Sequence, residues 1–356
     1  MNDKMNTSMN FFFKSAGVAL LSLFVGTACT SDTPSKALVN QKDYSTSIKS
    51  ITNTVIISTY KELDTKAQNL IAKGALLTVG NTTALEAVRT AWRETRSPWE
   101  QSEGFLYGPV DTEGIDPAID SWPLDLTFLN TVLSGNTPIT VTFLAGQNNN
   151  AKGFHTIEYL LWGIDGTKKA SELTTREIEY LKAATKNLQA NTAKLYLGWT
   201  AGSGNFANQF LQLPSANYAS QRNVLQEITD GIAVIADEVA NAKIETPLNG
   251  ANGQAAPDQE ESRFAHNSKA DFVNNIISIK NIYLGGISEA IGSDHTNLDR
   301  LIKQQIEEAI QSIDRIPGTF TQAIISNRES VKAAQAKVNT LFNTIENQLK
   351  PVVNKL

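Results

Sequence analysis

Apolar residues recur at helical spacing along most of the chain. Between Tyr44 and Lys73 they fall at Ile48, Ile51, Val55, Ile56, Tyr60, Leu63 and Leu70, the three- and four-residue steps of a helix that buries one face. Leu85 to Arg96 continues the pattern, with Thr83 placed to cap it. Gly104, Gly108, Pro109, Gly114, Pro117 and Pro123 then interrupt it, so residues 104–123 predict loop. Helical spacing returns over Pro123–Leu133, Thr174–Trp199, Gln221–Ala242, Ala270–Leu284, Thr296–Ile313 and Glu329–Val353. A polar turn at 145–152 and a Gly/Pro-rich loop from Thr246 to Pro257 separate some of these. PITVTFL (138–144) has β-branched, strand-like character, but it is brief and isolated. The prediction is an all-α fold.

The chain has 356 residues, long for a single core, and two domains are expected. Residues 200–206 and 212–220 are rich in Gly, Ser, Asn and Pro and place a soft boundary there. The expected units are a helical bundle over 43–205 and a second over 206–356. The order of elements is roughly parallel in the two halves, which suggests a duplication, although no repeated word survives.

The first residues read differently. Lys4 and Lys14 precede a short apolar core, Ala16–Val25, and then Gly26, Thr27, Ala28 and Cys29. This is the pattern of a secretory signal with small residues before the cut. Cys29 is the single cysteine, so it has no internal disulfide partner, and its setting resembles a bacterial lipobox. That resemblance implies removal of a signal peptide over 1–28, lipidation of Cys29, a polar tether over 29–42 and attachment to a membrane surface. The formal net charge of −5 offers no basic field for nucleic acid.

Chemistry concentrates in four stretches. GFHTIEYLLWG (153–163) sets His155 and Glu158 three residues apart on a helix otherwise built for burial. A buried carboxylate needs a donor, a cation or a metal. Imidazole and carboxylate on one helical face suit zinc or iron, or simply bond each other. In WRETRSPWEQSEGFLYGP (92–109), Trp92, Arg96, Trp99 and Glu103 share a face. Pro98 predicts a kink or a restart there, with Ser97 capping and Glu100 closing a capping box, and Arg96 and Glu103 meeting as an ion pair or site. In DSWPLD (120–125), Ser121 or Asp120 is placed to cap a helix, or to wall a cleft. In ESRFAHNSKADFVNNIISIKNIYLGG (261–286), Asp271, Asn274, Ser278 and Asn281 form a stripe suited to a hydrogen-bonded interface, with Arg263 and Asp271 as contacts across the boundary.

Gly153-x-His155-x-x-Glu158 resembles the GxHxxE signature of imelysin-like proteins, and the three other stretches resemble blocks of that family in the same order. The resemblance runs from about residue 40 to the end. It implies two helical-bundle domains with a site near their interface, in bacterial cell-envelope lipoproteins associated with iron uptake. It also implies a kinship to metallopeptidases. His155 and Glu158 carry over as the motif pair. With Glu103 they are the expected metal residues, for iron or zinc, and Gly153, Arg96, Trp99 and Asp271 are expected to contact the ligand. The expected function is binding of iron or an iron-containing ligand at an outer-membrane lipoprotein, periplasmic or surface-exposed, alongside iron-uptake partner proteins. The alternative is a metallopeptidase. HxxE supplies neither the second histidine nor the adjacent base of the common zinc-protease helix.

Overall fold

Helix α1 begins as Ser45–Ser50, passes through a π-helical turn at Ile51–Ile56 and continues as Ile57–Ala75. Its predicted apolar positions are all buried. The computed structural model describes residues 42–200, 202 and 205–356, and these are helical with no strand among them. The expected signal peptide, Cys29 and nearly all of the tether lie outside the described residues.

Helix α2, Thr82–Glu100, is capped by Asn81, which accepts from Ala84 N at 3.0 Å. Thr83 is already inside the helix. Pro98 does not restart it: one helix runs through the proline. The hydrogen bond that Pro98 removes belongs to the carbonyl of Glu94, an exposed residue that water can serve. The stretch expected to be loop holds a 3-10 turn at Glu103–Phe105 and two short helices, α3 Pro109–Thr112 and α4 Ile115–Asp120. Pro109 opens α3, where a missing N–H costs nothing. Helix α5, Leu126–Ser134, is capped by Asp125 rather than Asp120 or Ser121. The second half of the strand-like PITVTFL enters helix α6, Val141–Ala145, because Thr140 caps it through Phe143 N and no strand among the described residues is there to pair with.

Helix α7 is Phe154–Trp162, α8 is Thr175–Thr200 and α9 is Ala207–Leu211. Helix α10 runs as Gln221–Glu238, a π turn at Val239–Ile244, and Glu245–Asn249. Helix α11 runs as Ser268–Ile282, a π turn at Tyr283–Ile287, and Ser288–Ile291. Helix α12 is Thr296–Asp314. Helix α13, Phe320–Ser326, has a Thr319/Gln322 capping box and was not anticipated. Helix α14 runs as Arg328–Thr344, a π turn at Ile345–Leu349, and Lys350–Val353.

Helix α1 packs against α2 and α8, and α7 packs against α2 and α8. Beyond them α10, α11, α12 and α14 pack on one another. Residues 42–356 form one compact unit, and α2 lies against α11 within it. The polar stripe of α11 meets α2 there: Asn274 Oδ1 accepts from Ser97 Oγ and Gln101 Nε2, and Ser278 Oγ accepts from Gly104 N at 2.9 Å. The turn at Glu103–Phe105 sits on α10 and α11, so close that a Cβ at Gly231 would collide with the Gly104 carbonyl. No described helix is long and apolar enough to cross a membrane.

Candidate functional site

Arg96 stands at the centre of the α2–α11 contact, fully buried, with the Phe154 ring 5.1 Å from its guanidinium carbon. Four acids surround it. Glu100 is 2.5 Å away one helical turn on, Glu261 is at 2.7 Å, Asp271 is at 3.4 Å, and Asp120 bonds Nη1 directly. Burial opposes the guanidinium charge, but Asp120, Glu100, Asp271 and Glu261 outweigh it and raise the pKa well above its ordinary value. The predicted pairing of Arg96 with Glu103 is replaced by the pair with Glu100, which is itself held by Asn275 Nδ2 at 2.6 Å. Helix α2 passes unbroken through Pro98, so Glu100 falls one turn after Arg96 and completes no capping box.

His155, on α7, is also fully buried. Its Nδ1 lies 3.0 Å from Glu158 Oε2. A carboxylate can only accept, so Nδ1 carries a hydrogen and Nε2 is turned toward the other acids. Nε2 lies 3.2 Å from Asp120 Oδ1 and 3.4 Å from Glu261 Oε1 but is aligned with neither, and makes no hydrogen bond. Glu158 uses its second oxygen to accept from Ala265 N at 2.8 Å. It therefore orients His155 and ties α7 to the loop that carries Glu261. That loop is held at both ends. Glu260 accepts from Ser268 Oγ and Thr321 Oγ1, each at 2.6 Å, and Ser262 and His266 take positive φ. Burial works against a charged imidazole here, but Asp120, Glu158 and Glu261 outweigh it and raise its pKa well above 6.5.

Gly153 explains itself in this geometry. Its φ is +83°, and a Cβ would run into the carbonyl of Ile119, the residue before Asp120. The motif glycine lets the start of α7 touch the end of α4, which brings His155 to Asp120. Gly153→Ala is expected to cost about 2 kcal/mol or more, from the left-handed backbone and the overlap combined. It should also weaken any ligand bound between His155 and Asp120. A urea titration beside a binding measurement checks both; an unchanged midpoint would contradict the account.

Asp120 and Glu261 form part of the wall of a cavity of about 260 Å³, with Glu103, Leu106, Asp116, Trp122, Glu238 and Lys243 around the rest. His155 lies one layer behind these two acids. Trp99 Nε1 donates to Asp120 Oδ2 at 2.6 Å. Asn267 donates to Asp271 Oδ1 at 2.7 Å. Glu103 is 7% exposed, and among the described residues no protein group hydrogen-bonds its side chain. Burial raises its pKa well above the ordinary value. Burial likewise lifts Glu100 to about 8, and Asp116 and Asp271 to about 6 each. Asp120 and Glu261 behave oppositely. Burial opposes their charge, but Arg96 and His155 hold Asp120 down, and Lys243, His155 and Arg96 hold Glu261 well below 4.5.

The donor set fits a cation. Asp120, His155 and Glu261 present ligand atoms within 4.8 Å of one another. Metal bonds of about 2.1 Å put tetrahedral ligands roughly 3–3.5 Å apart, the separation at which Nε2 meets the two carboxylate oxygens. Nitrogen with carboxylate oxygen suits iron or zinc. His266, in the loop that carries Glu261, stands elsewhere, beside Gly166, and Arg263 bonds Pro257 O rather than Asp271. Asp120, expected first as a cap, proves a cavity wall. Glu261, Lys243, Asp116 and Glu238 were not foreseen: they occupy a loop, the first turn of a short helix and positions in or beside the π-helical stretch of α10, where no simple periodicity marks them.

A family model described as Imelysin, Peptidase_M75, matches residues 56–350. Iron-regulated protein A of Synechococcus elongatus is 30% identical over 284 residues, spanning 76% of this chain and 75% of the relative. A crystal structure of an iron-regulated protein A precursor from Parabacteroides distasonis superposes with a TM-score of 0.77 at 27% identity, over 90% of this chain and 97% of that one. An imelysin-like protein from Psychrobacter arcticum shares the fold, with a TM-score of 0.71 at 13% identity over 87% and 95%.

Proposed function

The chain belongs to the imelysin family, and from that premise and the geometry of its buried acids we propose that it binds a bare metal cation, iron first and zinc by similar chemistry, in the service of bacterial iron acquisition. One observation carries the reading. A buried imidazole nitrogen without a hydrogen bond sits at ligand spacing from two carboxylates whose charge is secured by Arg96 and Lys243. His155 Nε2, Asp120 and Glu261 would hold the ion. Glu158 orients the imidazole from behind, Trp99 and Arg96 fix the acids in place, and Asp271 contacts Arg96. Glu103, whose side chain no described protein group hydrogen-bonds, would be a further ligand from the cavity wall.

The cavity also supports a cation over larger cargo. At about 260 Å³ it falls below the roughly 300–1,000 Å³, mainly apolar pockets that suit drug-sized organic molecules. The charge held on Asp120 and Glu261 would repel an anionic chelate, and the size of the cavity disfavours haem or an extended peptide. This favours carriage over peptide hydrolysis. The name of the cyanobacterial relative, iron-regulated protein A, supports iron as the physiological setting. Within this reading Cys29 carries the lipid, the protein works at the cell envelope, and iron-uptake proteins are its partners.

Binding and pH should be linked. A cation can take Nε2 only after a proton leaves, and the surrounding acids hold that proton above 6.5. Affinity is therefore expected to rise through the neutral range, by about tenfold per pH unit for each proton displaced. In the cation-free chain the sign reverses for stability. The charged imidazole stabilises fully below 6.5, and that contribution fades as pH climbs through its raised value. Calorimetric titration of iron(II) or zinc into the protein, in buffers of differing ionisation heat, reads stoichiometry and proton release together. One ion per chain with proton release is the expected result. No cation binding at any neutral pH would end this reading.

A further inference from the structure

Resting on the cation-binding reading, this inference concerns Lys243. Five of the eight residues around the cavity are acids, and Lys243 is the one basic residue among them. The π-helical turn Val239–Ile244 carries it in. Its side chain is 8% exposed, and its Nζ lies 3.1 Å from Glu261 Oε2. The other oxygen of that carboxylate, Oε1, is the one 3.4 Å from His155 Nε2 and 2.7 Å from Arg96. Burial works against the ammonium, but Glu261, Glu100, Glu103 and Glu238 raise its pKa well above 10.5, so it stays charged.

Glu261 is held by two cations, Arg96 at Oε1 and Lys243 at Oε2, and of the two only Lys243 lines the cavity. What Lys243 adds is a second, flexible positive charge in the cavity itself, on a long stem, with Glu103 and Glu238 lining the same space. We propose that Lys243 is a tethered competitor for the cation. Its ammonium balances the acidic cavity before an ion arrives and repels the ion afterwards, so that the site releases its cargo rather than holding it permanently.

The test compares cobalt(II), zinc(II) and terbium(III) affinities of the wild-type chain with those of Lys243→Gln, Lys243→Met and Lys243→Arg, with thermal melts alongside. Removing a unit charge from beside a divalent ion should tighten binding at least about tenfold in both neutral variants, and Lys243→Arg should stay within about threefold of wild type. Coulomb repulsion scales with ionic charge, so the logarithm of the gain should be roughly 1.5 times larger for the trivalent ion. A lysine that merely shaped the wall would give no such scaling. Equal or weaker binding by the folded neutral variants overturns the proposal, and so does failure of both to fold, which would make Lys243 a structural counter-charge. Absence of binding by the wild type sinks the broader reading instead.

Discussion

Replacing His155 by alanine is expected to abolish tight cation binding, a loss of a hundredfold or more in affinity. The imidazole is the one nitrogen among the candidate ligands, and the two acids beside it are already engaged by Arg96 and Lys243. Without Nε2 an ion would have to compete with those side-chain cations for oxygen alone. Glu158→Gln should fall between. Both Glu158 oxygens are committed, one to His155 Nδ1 and one to Ala265 N, so this residue acts on the ion only through the imidazole. Removing such an orienting carboxylate typically costs 10–100-fold in metal affinity. The ordering is the sharp part of the expectation: alanine at 155 worse than glutamine at 158, with both chains folded. If Glu158→Gln proved the more damaging for binding, Glu158 would be the ligand and His155 its support.

The largest effect on stability is expected at Arg96. Its guanidinium is fully buried and is shared by Asp120, Glu100, Glu261 and Asp271. Arg96→Met keeps much of the volume and the contact with Phe154 but leaves four acids without their common partner. Breaking a buried ion pair from one side costs about 3–5 kcal/mol, because the charge left behind remains desolvated. The loss should shrink as pH falls, since the orphaned carboxyls can then protonate. Arg96→Lys should recover only part of it, as an ammonium cannot fork to several acids at fixed angles. Denaturant unfolding at pH 7 and pH 5 measures both. A drop under about 1 kcal/mol at pH 7 would mean that water already reaches this cluster.

Much of this was legible beforehand, and the divide is physical. Ile48 through Leu70, or Leu85 through Arg96, announce helices because burial on one face imposes a period. The α11 stripe of Asp271, Asn274 and Ser278 announced an interface because short amides and hydroxyls suit shared hydrogen bonds. The motif pair announced a buried polar site because a lone carboxylate cannot stay there unpartnered. Caps were read less well: Asn81 and Thr140 override neighbouring signals through single side-chain bonds. Glu261 and Lys243 were hidden for another reason. A glutamate in a loop and a lysine near a helix end look like ordinary solvated residues. Only the path of the chain, with a π turn before Ile244 and positive φ at Ser262, turns them inward. The division of labour between His155 and Glu158 was equally out of reach, since spacing says that two groups share a face and not which of them looks out.

Arg96 grips Asp120 from 24 residues away, Glu261 from 165 and Asp271 from 175. No stretch of nascent chain contains its own cage. The ring of acids closes only when segments up to 175 residues apart have met, so filling it with an ion would follow that folding step. A chain kept unfolded would therefore carry no ion, and loading would report that these distant segments have joined.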